Sequence, residues 1–371
     1  MAHFLEHTMF KGTTRKSASA INNALEKLGG ELNAFTTKEE IVLHATVLKA
    51  DIARAVSLLL EIAMDSCFPE EDIEVEKGVV IDEIASYKDS PADDIYDVFE
   101  EKLFKDTTLS SPILGTEQSV QGIGHSDLLR FRRSSFTTGR MTLTIVSPLP
   151  EEKMCAIAER CIRNAVAAYR PLDGEGAARR CEVFATHSRF DETVDKNNNE
   201  VNCIMGNFAP KHSDERRRLA TVLLCNMLGG PASNSILGSA LRERHGWVYN
   251  VECGYTPYSD TGIATIQFGC DKENLKLCLK TIHHQLKALR DKEISPAKLK
   301  AAKRQLLGQN AIALESGETQ CIWMGKSLMT YCCIPSDEEM ETKLMEIPAS
   351  LIRQLAREIF DENNMSTLIY L

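Results

Sequence analysis

Two histidines and a glutamate fall within the first seven residues, in MAHFLEHTMFKGTT. If Ala2 to Phe10 is helical, His3 and His7 stand one turn apart on one face, because residues four apart are neighbours on a helix surface, and Glu6 lies beside them. Two neutral imidazoles so placed suit a zinc ion, which prefers nitrogen and sulfur donors in a tetrahedral set. A catalytic zinc also keeps one position open for water, on which a neighbouring glutamate can act. The alternative is a surface helix with two chance histidines, and a zinc site needs a third protein ligand.

EEDIEVEKGVVIDEIASYKDSP supplies one. Helical periodicity runs from about Glu71 to Tyr87 and stops ahead of Pro91. Glu76 and Glu83 are seven apart, two turns along one face, with Ile73, Val80 and Ile84 on the same side. Carboxylates on an apolar stripe are costly unless something positive meets them, and a metal ion with its surroundings does so. Glu83 is then the third donor, and Glu76 a carboxylate that orients an imidazole or the water. For an isolated Glu pair, salt bridges on a solvated face are the alternative.

The surrounding elements must position these groups. SASAINNALEKLGG (Ser17 to Gly30) has a Ser start, apolar Ile21, Ala24, Leu25 and Leu28 at helical spacing, and a Gly stop. GELNAFTT and EIVLHATVL read as strands, the second alternating and rich in β-branched residues. Asp51 opens an amphipathic helix through Met64, and Pro69 separates it from the helix carrying Glu76 and Glu83. Further on, SDLLRFRRSSFTTGRMTLTIV (Ser126 to Val146) parallels ASLIRQLAREIFDENNMSTLIY (Ala349 to Tyr370): a helix, Phe136 or Phe360, then Met141 or Met365, then a closing strand. Two domains of one fold are implied, 1–172 with the H-x-x-E-H sequence and 183–371 without it. RPLDGEGAARR, from Arg170 to Arg180, has the Pro, Gly and charge content of a linker, placed at 173–182. Each domain is expected to be α+β, a mainly antiparallel sheet covered by helices.

Composition narrows the function classes. At 371 residues the chain suggests two domains rather than one core. A formal charge of -10 argues against nucleic acid as partner and suits basic peptides. No apolar run approaches membrane-spanning length. The twelve cysteines show no CxxC and read as mostly buried, reduced thiols in a cytoplasmic compartment, with Cys332 and Cys333 filling core. His44 reads as a satisfied strand residue, and the neighbours His283 and His284 point apart on a helix, which disfavours a second metal site. Lys11 and Lys16 are expected to be solvated, and the RFRR and ERRRLA runs to be salt-bridged helix faces.

The order H-x-x-E-H is that of the inverzincins. HFLEHTMFKGT, GGELNAFTTKEE, EVEKGVVIDEIASYKDSP and SPILGT together resemble the pitrilysin and mitochondrial processing peptidase family of zinc metallopeptidases, in its half-length, two-domain form. In that family the two His of HxxEH and a Glu 76 positions beyond the second bind zinc, and position 7 plus 76 is Glu83 here. The resemblance therefore implies His3, His7 and Glu83 as ligands of one Zn2+, Glu6 as general base and Glu76 as supporting carboxylate. LRERHGWVYNV is similar to a segment of the family's later domain, which implies that Arg242 and Tyr249 reach the substrate backbone and the developing oxyanion. Taken alone, such an Arg and Tyr are more often a surface charge and a half-buried ring. ELNAFTT resembles the edge strand on which family members dock an extended peptide, with Asn33 and Ala34 offering main-chain bonds and Phe35 a side-chain contact.

What the resemblance implies is a zinc endopeptidase acting on peptides or unfolded segments, working as a homodimer or beside a related chain. The alternative is a non-catalytic peptide-binding or scaffold subunit of the same family. Family members carry a further strand and a Gly-rich approach before the motif, whereas here His3 stands in the opening turn, where helices fray. Weak zinc retention and low occupancy are therefore expected.

Overall fold

Local start and stop signals set the elements of the computed structural model, which describes residues 1–170 and 189–371. The first half holds α1 (Ala2–Met9), α2 (Ala18–Glu26), β1 (Glu31–Thr36), β2 (Ile41–Thr46), α3 (Ile52–Asp65), α4 (Glu70–Lys88), α5 (Pro91–Leu103), α6 (Glu117–Gln121), α7 (His125–Ser135) and α8 (Glu151–Tyr169). The second holds β3 (Asp191–Val194), β4 (Val201–Phe208), α9 (Glu215–Gly229), β5 (Val248–Pro257), β6 (Gly262–Cys270), α10 (Leu275–Asp291), α11 (Pro296–Ala313), α12 (Gly317–Tyr331), α13 (Asp337–Met345), α14 (Ala349–Ile359) and β7 (Ser366–Tyr370). Ser17 caps α2 by accepting from the Ala20 amide, and Gly29 takes a left-handed φ of 74° where the chain turns into β1. The linker expected at 173–182 lies outside the described residues.

Two compact units result, each assembled from separate segments. Unit 1 takes Met1–Ser86, the described part of Pro112–Arg180, and Ala313–Ile334. Unit 2 takes Tyr87–Ser111, the described part of Cys181–Ile312, and Pro335–Leu371. The division expected at 172/183 differs at two helices, α5 going to unit 2 and α12 to unit 1. Burial decides α5: Ile95, Phe99 and Leu103 are packed with Ile204, Ile263 and Leu368 of the unit 2 sheet. In unit 1, α12 is tied in by Glu318, which accepts from Thr46, and by the Cys321 carbonyl, which accepts from Thr144 at 3.1 Å.

In unit 1, β1 and β2 form an antiparallel pair in register from Glu31↔Thr46 to Thr36↔Ile41. Phe4 and Leu5 of α1, Leu25 of α2, Ile62 of α3, Val80 of α4 and Leu128 of α7 share one core. The sequence repeat is visible in the helices, since α7 and α14 both end on the phenylalanine, whose amide closes the last turn onto Arg132 or Ala356. It fails in the closing strand. β7 is flanked by β3 and β4, whereas residues 141–147 form no strand and have no strand partner among the described residues.

Unit 2 carries a five-stranded sheet in the order β3-β7-β4-β6-β5, antiparallel except for β3 with β7. β4 is central and almost wholly buried because both its faces are covered. Val201, Cys203 and Met205 face a core built with α9, α10 and α14, while Ile204 joins the cluster made by α5. Six cysteines are buried as expected: Cys161, Cys203, Cys225, Cys253, Cys270 and Cys278. Cys332 and Cys333 are instead exposed, because α12 ends at Cys332 in a left-handed turn (φ 57°) beyond its last helical residue. Among the described residues, no helix is long and apolar enough to cross a membrane.

Candidate metal centre

The centre lies within unit 1, where α1 and α4 are fixed by their apolar sides. Phe4, Leu5 and Met9 of α1 and Ile73, Val80 and Ile84 of α4 enter the same core, which brings His3, His7 and Glu83 together. Glu83 Oε2 is 3.7 Å from His3 Nε2 and 3.5 Å from His7 Nε2. These gaps exceed ordinary hydrogen-bond lengths. Donors about 2.0–2.2 Å from a shared tetrahedral ion stand roughly 3.3–3.6 Å apart, a range that holds the His7 gap and falls just short of the His3 gap. Glu83 Oε2 is moreover buried with no hydrogen-bond partner among the described residues, a costly condition that a cation between the three groups relieves. Burial, with the charges of His7 and the amino terminus, pushes the His3 imidazole down to about 4, so at neutral pH it is the uncharged, donor-competent form.

Behind these ligands stands a second layer. His7 Nδ1 lies 3.2 Å from Glu76 Oε2, which leaves Nε2 as the ring nitrogen facing Glu83. Glu76 is only 5% exposed, and its other oxygen pairs with Lys11 Nζ at 2.5 Å. Lys11 is therefore not the solvated residue its sequence suggested, and neither is Lys16, which pairs with buried Glu61. One legible signal was available for Lys11. It stands four residues beyond His7, so a buried partner of His7 lies within its reach.

Glu6 sits on α1 between the two histidines, and its Oε2 accepts a hydrogen bond of 2.5 Å from Thr36 Oγ1 at the end of β1. Among the described residues β1 pairs with β2 on one side only, so the other edge of Asn33, Ala34 and Phe35 is open to a further strand. Phe35 packs edge-on against His44, with Lys326 5.3 Å above its ring. His44 also pairs with Glu318 at 3.5 Å, a satisfied strand residue as expected.

Arg242 and Tyr249 belong to unit 2. They flank a turn in which a π-helical segment, Gly238–Glu243, passes through Gly246 at φ 63° into β5. Both are exposed, Tyr249 at 62%. Arg242 pairs with Glu243 at 3.0 Å, and the Tyr249 hydroxyl donates to Asp271 at 2.8 Å, a bond that raises the phenol's pKa and keeps it protonated. His283 lies 4.0 Å from Glu362, and neither it nor His284 joins a metal-binding group among the described residues.

Comparison with known proteins gives the same ancestry for both halves. The family described as Insulinase (Peptidase family M16) matches residues 1–117, and the Peptidase M16 inactive domain matches residues 122–306. An uncharacterized zinc protease of Bacillus subtilis is 28% identical over 369 residues, covering 100% of this chain and 88% of its own. One from Streptomyces coelicolor is 27% identical, covering 96% of this chain and 77% of its own. Two solved structures share the fold at 18% identity. A Helicobacter pylori protease has a TM-score of 0.86, covering 100% of this chain and 88% of its own. A Pseudomonas fluorescens peptidase M16 inactive domain has 0.84, covering 99% and 87%. With both domain types in order along the chain, and relatives covered to 88% and 77% of their own length, the protein belongs to peptidase family M16, in its half-length, pitrilysin-like form.

Proposed function

We propose that the chain is a zinc-dependent endopeptidase that hydrolyses peptides or unfolded segments held in extended form. The observation that carries this is the convergence of His3, His7 and Glu83 to within 4.8 Å of one another, with Glu6 on the same helix as both imidazoles. Zinc, when bound there, supplies a Lewis acid that polarises a peptide carbonyl and acidifies water. The residues of the chain do the rest. His3, His7 and Glu83 would supply two imidazole nitrogens and one carboxylate oxygen, three of the four donors a tetrahedral zinc takes. Glu6 takes the proton of the attacking water and passes it to the nitrogen of the departing amine. The free edge of β1 holds the substrate by strand addition through Asn33 and Ala34, with Phe35 beside it. Arg242 and Tyr249 are exposed and, on exchanging their contacts with Glu243 and Asp271, can donate to a substrate carbonyl and a developing oxyanion. In the homodimer or heterodimer that the family resemblance implies, they serve the neighbouring chain.

An internally quenched, unstructured peptide tests the proposal: the zinc-loaded protein cleaves it, a chelator stops cleavage and added zinc restores it. Binding without cleavage, by the chain alone and with a related partner, overturns the enzyme in favour of a peptide-binding subunit. Glu76→Gln is expected to weaken zinc affinity by about 10–100-fold, as loss of a carboxylate behind a ligating imidazole does, measured by competition with a chelator.

A further inference from the structure

Thr36 makes a contact that the ligand set does not require. Its hydroxyl donates to Glu6 Oε2 at 2.5 Å, from a strand that is otherwise outside the metal centre. A glutamate side chain has three rotatable bonds, and a general base works only within hydrogen-bond reach of its proton. A β-branched donor on a strand is a stiff anchor for it. Thr36 is itself fixed, being the last residue of β1 in register with Ile41, next to a turn closed by the Thr37 amide on the Glu40 carbonyl at 2.8 Å. The same strand carries Asn33, Ala34 and Phe35, so a peptide added along β1 lies on the element that holds Glu6.

We propose that Thr36 is a positioning residue for Glu6: its hydroxyl holds one carboxylate oxygen, aims the other at the reacting water, and links the peptide-docking strand to the base. This rests on the peptidase proposal above. Atoms balance without Thr36, which keeps its proton throughout and acts through Glu6 alone.

Three substitutions separate the possibilities. Thr36→Val deletes the hydroxyl and keeps the shape, Thr36→Ala deletes it with less steric demand should Val not fold, and Thr36→Ser retains it. On an internally quenched peptide, Val or Ala is expected to lower kcat by about 10–100-fold with KM within about twofold, and Ser to recover most of the loss. Zinc retention against a chelator and the melting temperature stay at wild-type levels in all three, which a general structural role would not permit. Crystal structures of the metal-free variants give the readout that needs no activity: the Glu6 carboxylate keeps its place with Ser and leaves it with Val or Ala. An unmoved Glu6 in Val and Ala, or a KM effect without a kcat effect, overturns the positioning role. If the wild-type protein cleaves no peptide yet Glu6 moves as stated, positioning stands and the peptidase proposal falls.

Discussion

Glu6→Gln is expected to leave a folded, metal-retaining protein whose turnover of a quenched peptide falls by about 100- to 10,000-fold, the range a positioned general base contributes. The substitution is nearly isosteric. It keeps an oxygen that can accept from Thr36 Oγ1, so the contact holding the side chain survives. It removes only the ability to take up a proton at neutral pH. Because Glu6 is not one of the three converging ligand groups, zinc content should be unchanged. Measuring kcat and bound zinc in the same preparation separates lost chemistry from lost metal. Equal turnover by the variant and the wild-type protein would eliminate the role assigned to Glu6.

Removing a ligand has the opposite signature. Glu83→Ala deletes the only carboxylate of the three donors and opens the face of α4 opposite both imidazoles. His7→Ala deletes a donor and leaves Glu76 and Lys11 paired with each other alone. In both, zinc affinity should fall by more than the about 10–100-fold attached to a partner behind the ligands, and activity should fall with metal content. Metal analysis after dialysis, with chelator competition, checks this. The proteins should stay folded, because Phe4, Leu5, Val80 and Ile84, which hold the two helices, are untouched. A Glu83→Ala protein that keeps a full equivalent of zinc would show that the ion is held elsewhere.

The contrast between these variants and Thr36→Val follows from what each atom touches. Glu83 Oε2 lies close to both ligand imidazoles, Thr36 touches only Glu6, and Glu76 touches His7 without facing the ion's position. Metal retention and turnover therefore respond in different combinations in each variant.

Sequence alone determined the local part of the site. A helix places residues four and seven apart on one face whatever surrounds it, so His3 with His7, and Glu76 with Glu83, were fixed as pairs before any packing was known. The alternating, β-branched run at Ile41–Thr46 and the Ser and Gly punctuation of α2 fixed their elements in the same way. Tertiary structure decided which faces meet. That Glu83 arrives between the imidazoles, that Lys11 turns to Glu76 instead of solvent, and that Thr36 reaches Glu6 from thirty positions away depend on cores shared across long separations, which leave no periodicity to read. The same holds for α5, placed by the surface it buries, for α12, placed by hydrogen bonds to Thr46 and Thr144, and for residues 141–147, which become a strand only where a neighbour offers its hydrogen bonds.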